Sequence, residues 1–422
     1  MTMTQAPPAS PALNKVLRGN LCSGCGACAA LAPKAVKMRM TPPGFLRPDQ
    51  TAPLPADAEA AIAAACPGLG QTVDAGTRRD DALWGPWIDM QMGHATDPAL
   101  RHAGASGGAL SGLLAHLLDS GAVDAVIETA ASDAVPVAND TVLARSRDDI
   151  RAAAGSRYAP SAPLAALPDA LADHRASGRR FAFVGKPCDV AALRAMQTGD
   201  PELRTAIPVL LSFFCAGVPS QDGARALLSA LDAPEDRLRS FRYRGNGWPG
   251  QATAQLDDGS ERSMSYHNSW GGILSKHVQH RCKVCADGTG TAADIAFADA
   301  WEADARGYPV FSEAPGQSLI VVRSDTGQRL LDEAVAAGAI AVAPFDATTL
   351  AAIQPGQRER RRALAARLAA LMLAGRPAPR YRGLRLVAAA RQNPLRRNAK
   401  NFLGMLRRAL RARSGGPTKP PR

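Results

Sequence analysis

The chain has 422 residues, 46% of them hydrophobic, which is enough for two or three domains with sizeable cores and excludes global disorder. No stretch reaches the roughly 18 uninterrupted apolar residues of a membrane span, and the polar, proline-rich start lacks the pattern of a secretion signal. The formal charge is +12, but residues 351–422 carry 19 basic residues and one acid, Glu359, so the rest of the chain is mildly acidic. The high isoelectric point therefore describes the tail rather than a candidate site.

The eight cysteines are the most informative part of the composition. Without a secretion signal we expect a cytoplasmic protein, and in that reducing compartment clustered cysteines bind metal more often than they form disulfides. Residues 1–20 are predicted to be a flexible leader. Residues 21–75 hold four cysteines and little periodicity, which indicates a small iron–sulfur module organised by metal rather than by a core.

The strongest motif is the run Cys22-Ser-Gly-Cys25-Gly-Ala-Cys28. Cysteines spaced by three wrap a 4Fe–4S cubane on a short turn, and the small residues between them let backbone N–H groups approach the sulfides. The bacterial ferredoxin run continues to a further Cys-Pro, where this chain has Ala32-Pro33. We predict that Cys66, which does precede a proline, supplies the fourth thiolate. A zinc knuckle is the alternative, although zinc sites more often pair two Cys-x2-Cys units.

Beyond the module, predicted strands and helices alternate, which is typical of an α/β region. Cys188 and Cys215 each lie just past the carboxyl end of a predicted strand, where open α/β sheets usually place their sites. With the Cys-x2-Cys pair Cys282 and Cys285 they could hold a second cluster. Two alternatives stay open: burial of Cys188 and Cys215 as small apolar side chains, and a redox disulfide between Cys282 and Cys285.

A series of short motifs makes the chain resemble the beta-subunit family of coenzyme F420 hydrogenases and dehydrogenases. That family includes formate dehydrogenase beta subunits and reductases of hydroxymethyl chlorophyll and divinyl chlorophyllide. The resemblance runs from about Leu21 to Phe345. Besides the first cysteine run, it rests on Ala105-Ser-Gly-Gly108, Gly155-Ser-Arg-Tyr158, Gly185-Lys-Pro-Cys188, Phe214-Cys-Ala-Gly217, Cys282-Lys-Val-Cys285, Ala292-Ala-Asp-Ile295 and Asp299-Ala-Trp301.

The resemblance implies FAD and one or two 4Fe–4S clusters. Together with the residue patterns, it leads us to expect an α/β (α+β) fold with a small N-terminal ferredoxin-like iron–sulfur module, a mixed-sheet flavin-binding body and a helical basic tail. Residues 95–172 would form the N-terminal flavin-binding domain and residues 176–345 the C-terminal domain with the second cysteine set. The flavin residues it implies are Ser106, Gly107, Gly108, Arg157 and Tyr158.

The residue types agree with that flavin assignment. Small residues permit close backbone approach, and an arginine can pair with a pyrophosphate. A tight helix-packing contact is the alternative for the small-residue stretch. Two weaker catalytic candidates are Lys186, which could tune a cluster or hold an anionic substrate, and Asp299, which could relay protons. Solvated surface roles are the alternatives for both.

The tail, residues 351–422, is predicted to be helical and basic. Between residues 396 and 413 apolar side chains fall on one face and basic ones populate the rest, which fits a helix on an anionic bilayer surface at the inner membrane face. A protein partner or a solvated tail is the alternative. Nucleic acid is not expected, because the tail has few aromatic residues for stacking.

These observations predict an iron–sulfur flavoprotein oxidoreductase. A ferredoxin-like carrier would supply single electrons through the clusters to FAD, which would reduce an organic substrate or the deazaflavin coenzyme F420. The alternatives are an electron-transfer beta subunit that needs a catalytic partner subunit, and a membrane-surface accessory protein in envelope polysaccharide synthesis.

Overall fold

The computed structural model of the chain describes residues 9–300, 310 and 312–411. Trp301, named in the last motif, lies outside them. The α-helices are α1 Pro11–Arg18, α2 Ala27–Leu31, α3 Ala56–Ala65, α4 Pro98–Ala103, α5 Ala109–Asp119, α6 Arg147–Ala153, α7 Leu167–Ser177, α8 Pro187–Gly199, α9 Pro201–Ala206, α10 Gln221–Ala230, α11 His280–Lys283, α12 Asp325–Ala336, α13 Leu350–Ile353, α14 Pro355–Leu373, α15 Leu386–Arg391 and α16 Leu395–Arg411.

The strands include those of one large sheet and several short pairs. In chain order they are β1 Val36–Thr41, β2 Phe45–Gln50, β3 Gly70–Thr72, β4 Arg79–Asp81, β5 Gly85–Trp87, β6 Asp89–Ala95, β7 Ala125–Ala131, β8 Asn139–Ala144, β9 Phe181–Gly185, β10 Val209–Phe213, β11 Leu238–Arg242, β12 Gln251–Leu256, β13 Glu261–Ser265, β14 Ile295–Asp299, β15 Ser318–Val322, β16 Ile340–Pro344 and β17 Arg380–Arg382. Short 3-10 turns and a π-helix, His267–Ile273, complete the described structure.

The body is an eight-stranded sheet in the order β16-β6-β15-β14-β10-β9-β7-β8. Strands β7, β9, β10 and β14 are parallel, and the strands beyond them pair antiparallel. The parallel strands are short apolar runs that are buried on both faces, as expected when helices cover a sheet on both sides. The predicted mixed α/β class is therefore confirmed, and the carboxyl ends of the four parallel strands meet at one edge.

Two helical layers cover the sheet. One apolar core joins it to α4, α5, α6 and α12, and another lies on the opposite face against α7, α8 and α9. Helix α5 follows the small-residue stretch at residues 105–108, and Pro168 lies in the first turn of α7, where proline is tolerated. A separate three-stranded antiparallel sheet, β11-β12-β13, packs beside α10.

The prediction that residues 1–20 form a flexible leader is wrong for its second half. Ser10 caps α1 by accepting a hydrogen bond from the Leu13 N–H, and Pro11 occupies the first helical position. Leu13 and Val16 are buried, so one face of α1 packs into the cysteine-rich module. The Ser-Pro start is the capping signal that identifies this helix.

The basic tail packs against the body. Helix α16 lies along α14, with Met405 and Ala409 buried and Phe402 and Leu406 partly buried in a core that also contains Cys22 and Val284. The apolar face on which the membrane-surface hypothesis depended is thus largely occupied by the protein itself. Leu403 and Leu410 stay about half exposed. Residues 412–413 of the predicted amphipathic segment lie outside the described residues.

Within the described ranges, no helix combines the length and the apolar character that crossing a bilayer requires.

Candidate functional site

The first four cysteines converge on one enclosed space. Cys22 and Cys25 lie in the loop that leads into α2, Cys28 lies in the first turn of α2, and Cys66 follows the last residue of α3. Apolar side chains, among them Val16 and Ile62, close the space between the four thiols. Gly26 makes this turn possible, because its φ is +89° and a Cβ there would lie 2.7 Å from the Ala165 backbone nitrogen.

Burial dominates the acidity of these thiols. Burial first and the charges of neighbouring thiols second raise the pKa of Cys25 to about 12 and that of Cys66 to about 11. The pKa of Cys28 is also raised, first by burial and then by the charges of the other three cysteines. Four sulfurs that share one apolar space can all be thiolates only if a cation binds among them. The donor set, thiols alone, fits an iron–sulfur cubane.

The thiols of the second set come from distant parts of the chain and lie close enough to shift the pKa of one another. Cys188 is in the first turn of α8, just past β9, and Cys215 follows β10, so the sheet edge brings the two together. Cys282 and Cys285 come from α11 and the residues after it. Burial, together with the charges of Cys282 and Cys285, raises the pKa of Cys215 to about 12. The Val218 N–H points at the Cys282 sulfur at 3.4 Å.

Both cysteine sets predicted from the sequence are therefore brought together, and all eight thiols are free. Ala32, where the ferredoxin pattern has a cysteine, is a buried apolar residue at the end of α2. Over the described part of the chain, no three histidine, cysteine or acidic side chains are grouped so that they could hold a single metal ion.

A buried arginine lies between the two sets. Arg281 is 2% exposed and donates to the carbonyl of Pro67, next to Cys66, at 2.7 Å. Its positive charge lowers the pKa of Cys22 and Cys66 on one side and of Cys282 on the other, although burial raises all three. The sequence analysis missed Arg281. Its position between His280 and Cys282 was visible, but its distance from Cys66 along the chain hid the contact.

Arg47 and Gln279 form a second link between the sets. The Arg47 guanidinium donates to Gln279 at 3.2 Å, and Gln279 donates to the Ser23 carbonyl at 3.3 Å. The charges of Cys22 and Cys282 both act on Arg47, which therefore stands near both sulfurs. The two candidate clusters are neighbours joined by polar contacts.

A cavity of about 280 Å³ opens at the carboxyl edge of the parallel strands. Cys215 of the second thiol set contributes to its wall, as do four of the residues that the resemblance implied for the flavin: Ser106, Gly108, Arg157 and Tyr158. The fifth, Gly107, packs its backbone against Gly316 instead. The small-residue stretch thus makes a tight packing contact and also borders the cavity.

The start of α5 faces this cavity. Gly107 and Gly108 have φ values of +94° and +70°, and Gly108 begins the helix without a side-chain cap. A Cβ at Gly108 would lie 2.5 Å from the Leu100 carbonyl oxygen, so only glycine fits there. The turn leaves the N-terminus of an 11-residue helix at the cavity, an arrangement that favours phosphate groups.

The contacts of Arg157 give it a structural role. Its guanidinium donates to the Asn139 side chain and to the carbonyls of Pro136, Ala138 and Phe241, at 2.7–3.0 Å. These bonds hold the loop that carries Tyr158. The Tyr158 ring packs 4.7 Å from Trp270 and forms an aromatic wall of the cavity.

Lys186 is buried rather than solvated, which excludes the surface alternative. Its ammonium pairs with Asp189 at 2.7 Å and donates to the Ser161 hydroxyl at 2.7 Å. Burial lowers the pKa of Lys186, but Asp189 and the thiols of Cys188 and Cys215 outweigh that effect, so the pKa lies above its usual value. A fixed positive charge therefore stands between the second thiol set and the cavity.

Asp299 also lines the cavity but is held in a bidentate ion pair. Arg244, which is 2% exposed, donates to both carboxylate oxygens at 2.6 and 2.9 Å, and the Trp248 ring N–H lies 3.3 Å away. The pair ties the loop after β11 to the end of β14. A proton-relay role for Asp299 stays a prediction, and its contacts support positioning first.

Glu128 is the cavity residue that the sequence analysis missed. It lies on β7, is 7% exposed, and its Oε1 has no hydrogen-bond partner. Burial, reinforced by the charge of Asp149 on α6, raises its pKa to about 8. The carboxyl group therefore keeps its proton at neutral pH and faces a cavity. An acid that directly follows the apolar run Ala125-Val-Ile127 was the available signal.

Comparison with known families assigns most of this region. The family model for the N-terminal part of the coenzyme F420 hydrogenase/dehydrogenase beta subunit matches residues 90–168, and that for its C terminus matches residues 178–348. Together they cover more than half of the chain. The first cysteine set and the tail beyond residue 348 lie outside both matches.

Relatives and one solved structure agree with these matches. The chain is 22% identical over 270 residues to the coenzyme F420 hydrogenase subunit beta of Methanothermobacter thermautotrophicus, covering 62% of this chain and 86% of that protein. It is 24% identical over 249 residues to the F420-dependent formate dehydrogenase 1 subunit beta of Methanococcus maripaludis, covering 58% of this chain and 59% of that one. A chain of the F420-reducing [NiFe] hydrogenase complex from Methanosarcina barkeri shares the fold, with a TM-score of 0.53 and 20% identity over 69% of this chain and 95% of its own length.

Proposed function

The chain belongs to the coenzyme F420 hydrogenase/dehydrogenase beta subunit family, and from this premise we propose that it is an iron–sulfur flavoprotein that passes electrons between a one-electron carrier and a two-electron acceptor. Cys22, Cys25, Cys28 and Cys66 would hold one 4Fe–4S cluster, and Cys188, Cys215, Cys282 and Cys285 a second. FAD would occupy the cavity at the sheet edge. When bound, the clusters supply one-electron steps and the flavin supplies the two-electron step.

One observation carries this proposal. Two all-cysteine sites lie next to each other, and the second contributes Cys215 to the wall of the cavity bordered by Ser106 and Gly108. A redox centre held at the wall of a cavity that can accept an organic cofactor is the arrangement that this electron transfer requires. Structural zinc sites do not need a neighbouring cavity, and isolated buried cysteines do not need to converge.

The residues of the cavity have separate tasks in this proposal. The N-terminus of α5 at Gly108 would bind the pyrophosphate of FAD, and the aromatic wall of Tyr158 and Trp270 would pack against a flat ring system. The buried pair of Lys186 and Asp189 would lie between the second cluster and the flavin, with the ammonium charge of Lys186 balanced by the Asp189 carboxylate. Glu128 holds a proton in a site shielded from water, ready for transfer to a reduced acceptor.

The acceptor class follows from the relatives. Two of them are named for coenzyme F420, and we propose that this chain reduces a deazaflavin of that class or another organic acceptor that can reach the cavity. The same relatives are subunits of larger enzymes, so a second candidate function is that of an electron-transfer subunit which works only with a catalytic partner. Turnover of the isolated chain separates the two: a subunit of that kind is reduced and reoxidised but converts no organic acceptor.

Anaerobic purification tests the proposal directly. Iron, acid-labile sulfide and flavin are measured per chain, with the visible spectrum recorded before and after reduction. We expect roughly eight iron, roughly eight sulfide and one FAD, the content of two 4Fe–4S clusters and one flavin. A colourless, folded protein that contains zinc or no metal would contradict the proposal.

A further inference from the structure

An open groove borders the second thiol set on the outside of the molecule. It has a volume of about 670 Å³ and runs between the π-helix His267–Ile273, α11 and the two tail helices α14 and α16. Cys282 lines the groove and is partly exposed, as is Lys283 beside it. A cluster held by Cys282 would therefore have one side close to solvent.

The groove is strongly basic. Its lining contains Lys283, Arg360, Arg367 and Arg397 and a single acid, Glu359. Glu359 already pairs with Arg397 at 2.9 Å and with Arg358 at 3.1 Å. Across the residues that the structure covers, Lys283, Arg360 and Arg367 form no ion pair. A surplus of positive charge therefore faces the groove.

Hydrogen bonds hold this charge in place at the thiol set. Arg360 donates to the carbonyl of Cys215 at 2.6 Å, and Arg367 donates to the carbonyl of Lys283 at 3.0 Å. The arginines also crowd each other: burial and the charges of Arg408 and Arg360 lower the pKa of Arg367 to about 10. An anionic partner would relieve that repulsion. A merely solvated tail would not anchor its arginines to the backbone around two cysteines.

Most of the groove's charge comes from the tail. Arg360, Arg367 and Arg397 all follow residue 348, where the family match ends. The body of the chain is acidic overall, so the positive groove is the contribution of this extension.

We propose that this groove is the docking site of an acidic one-electron carrier protein and that electrons enter through the second thiol set at Cys282. The inference rests on the proposed function. In each encounter the carrier's reduced metal centre loses one electron and the cluster held by Cys188, Cys215, Cys282 and Cys285 gains it, while no covalent bond forms or breaks. Two encounters supply the electron pair for the flavin.

Charge and shape favour a protein carrier over a membrane. A flat bilayer surface does not enter a recessed groove, and Met405 and Ala409 of the apolar face of α16 are buried within the protein, although Leu403 and Leu410 stay half exposed. Complementary charge speeds the association of redox proteins, whose interfaces are small and weak, and makes the rate sensitive to salt. A carrier needs such an approach to a partly exposed cluster ligand.

Stopped-flow reduction of the anaerobic holoprotein by a small acidic ferredoxin tests the inference. The bimolecular rate constant is expected to fall about tenfold between low and high ionic strength. It should fall by about the same factor at low salt in the variant Lys283→Gln/Arg367→Gln/Arg397→Gln. Reduced methyl viologen, a small cation, should reduce wild type and variant equally well or reduce the variant faster.

A matched control removes the same charge elsewhere. Arg145, Arg180 and Arg329 are exposed and do not line the groove, so Arg145→Gln/Arg180→Gln/Arg329→Gln should keep the wild-type rate. If the groove variant binds less iron than wild type, Arg397→Gln alone replaces it, because that side chain is 54% exposed, and a two- to threefold loss is expected.

Three results would overturn the inference. Equal rates in the groove and control variants would do so, and so would a rate with the acidic ferredoxin that is independent of salt. Binding to phosphatidylglycerol vesicles that only the groove variant loses, with its ferredoxin rate unchanged, would identify a lipid site instead. If methyl viologen fails to reduce the protein, or iron and flavin are absent, the proposed function fails and not merely the docking site.

Discussion

Glu128 shows at the scale of one residue how burial sets chemistry in this cavity. The pKa of its carboxyl group is about 8 in the folded protein, compared with an ordinary pKa of 4.5. The unfolded chain therefore releases this proton first as pH rises. The free energy of unfolding therefore decreases between about pH 4.5 and 8. Above pH 8 the loss of stability caused by Glu128 is constant.

Replacing Glu128 with glutamine removes this titration and keeps the shape. As pH rises from 5 to 8, the unfolding free energy of wild type should fall relative to that of Glu128→Gln. The expected fall is on the order of 1.4 kcal/mol for each pH unit, or a few kcal/mol in total. Anaerobic denaturation of both proteins at several pH values measures the difference. Glu261→Gln, at an exposed position, is the control, and a wild-type curve parallel to that of Glu128→Gln would contradict the assignment.

Cys66 is the residue on which the ligand set of the first cluster depends. Replacing it with alanine leaves three thiols around the enclosed space, so we expect iron to fall from roughly eight to roughly four per chain while the second cluster stays. Iron analysis and low-temperature spectra of the reduced protein give the result. Ala32→Ser, at the position that the ferredoxin pattern assigns to a cysteine, should keep full iron. Full iron in Cys66→Ala would move the fourth ligand elsewhere.

At the scale of elements, α16 is held by the side chains that it buries against α14. Met405 is fully buried, so Met405→Ala should cost about 2–5 kcal/mol of unfolding free energy, because it leaves a cavity in the tail core. Leu403→Ala removes a side chain of the same helix that is half exposed and should change stability by less than about 1 kcal/mol. Denaturant titration of the two variants compares them, and equal losses would mean that α16 does not pack as described.

The elements also show which parts of the structure could be predicted. Strands β9 and β10 are continuous apolar runs, so their ends, with Cys188 and Cys215, could be placed from the sequence alone. Strand β6 was missed because Asp89-Met-Gln-Met-Gly-His-Ala mixes polar and apolar residues, and only its position inside the sheet decides its structure. The start of α1 was missed because its capping serine lies in a proline-rich stretch.

Some residues of the candidate site could also be predicted from the sequence, and others could not. The eight thiols could be grouped into two sets because their local spacing and their positions after strands carry the signal. Arg281, Arg47 and Glu128 could not be assigned, since each acquires its role from residues far away in the chain. Arg157 and Asp299 were identified as candidates, but their hydrogen bonds and ion pairs first hold loops in place.

At the scale of the molecule, Arg361 joins three regions. It is 5% exposed and donates to the carbonyls of Ala82, Ala286 and Leu384, which belong to the β4–β5 turn, the segment after Cys285 and the tail. Arg361→Met would leave three buried carbonyls without their donor. We expect a loss of about 3–5 kcal/mol in unfolding free energy and a faster release of iron from the second site.

Arg362→Met is the matched control for Arg361→Met. Arg362 is the next residue on α14, is partly exposed, and donates to the side chain of Gln392 rather than to backbone carbonyls. Thermal unfolding and the rate of iron capture by a chelator are measured for both variants. Similar behaviour of the two would show that the tail is only loosely connected to the body.

The two thiol sets differ in how far apart their ligands lie along the chain. Residues 22 to 66 supply all four sulfurs of the first set. The second set is complete only at residue 285, and its backbone also accepts hydrogen bonds from arginines of the tail. During synthesis on the ribosome, the first set is complete while most of the sheet is still untranslated. In the proposed function, metal loading can therefore begin early at the first set, and the second set is completed only after α14, which carries Arg360 and Arg367, has emerged and packed.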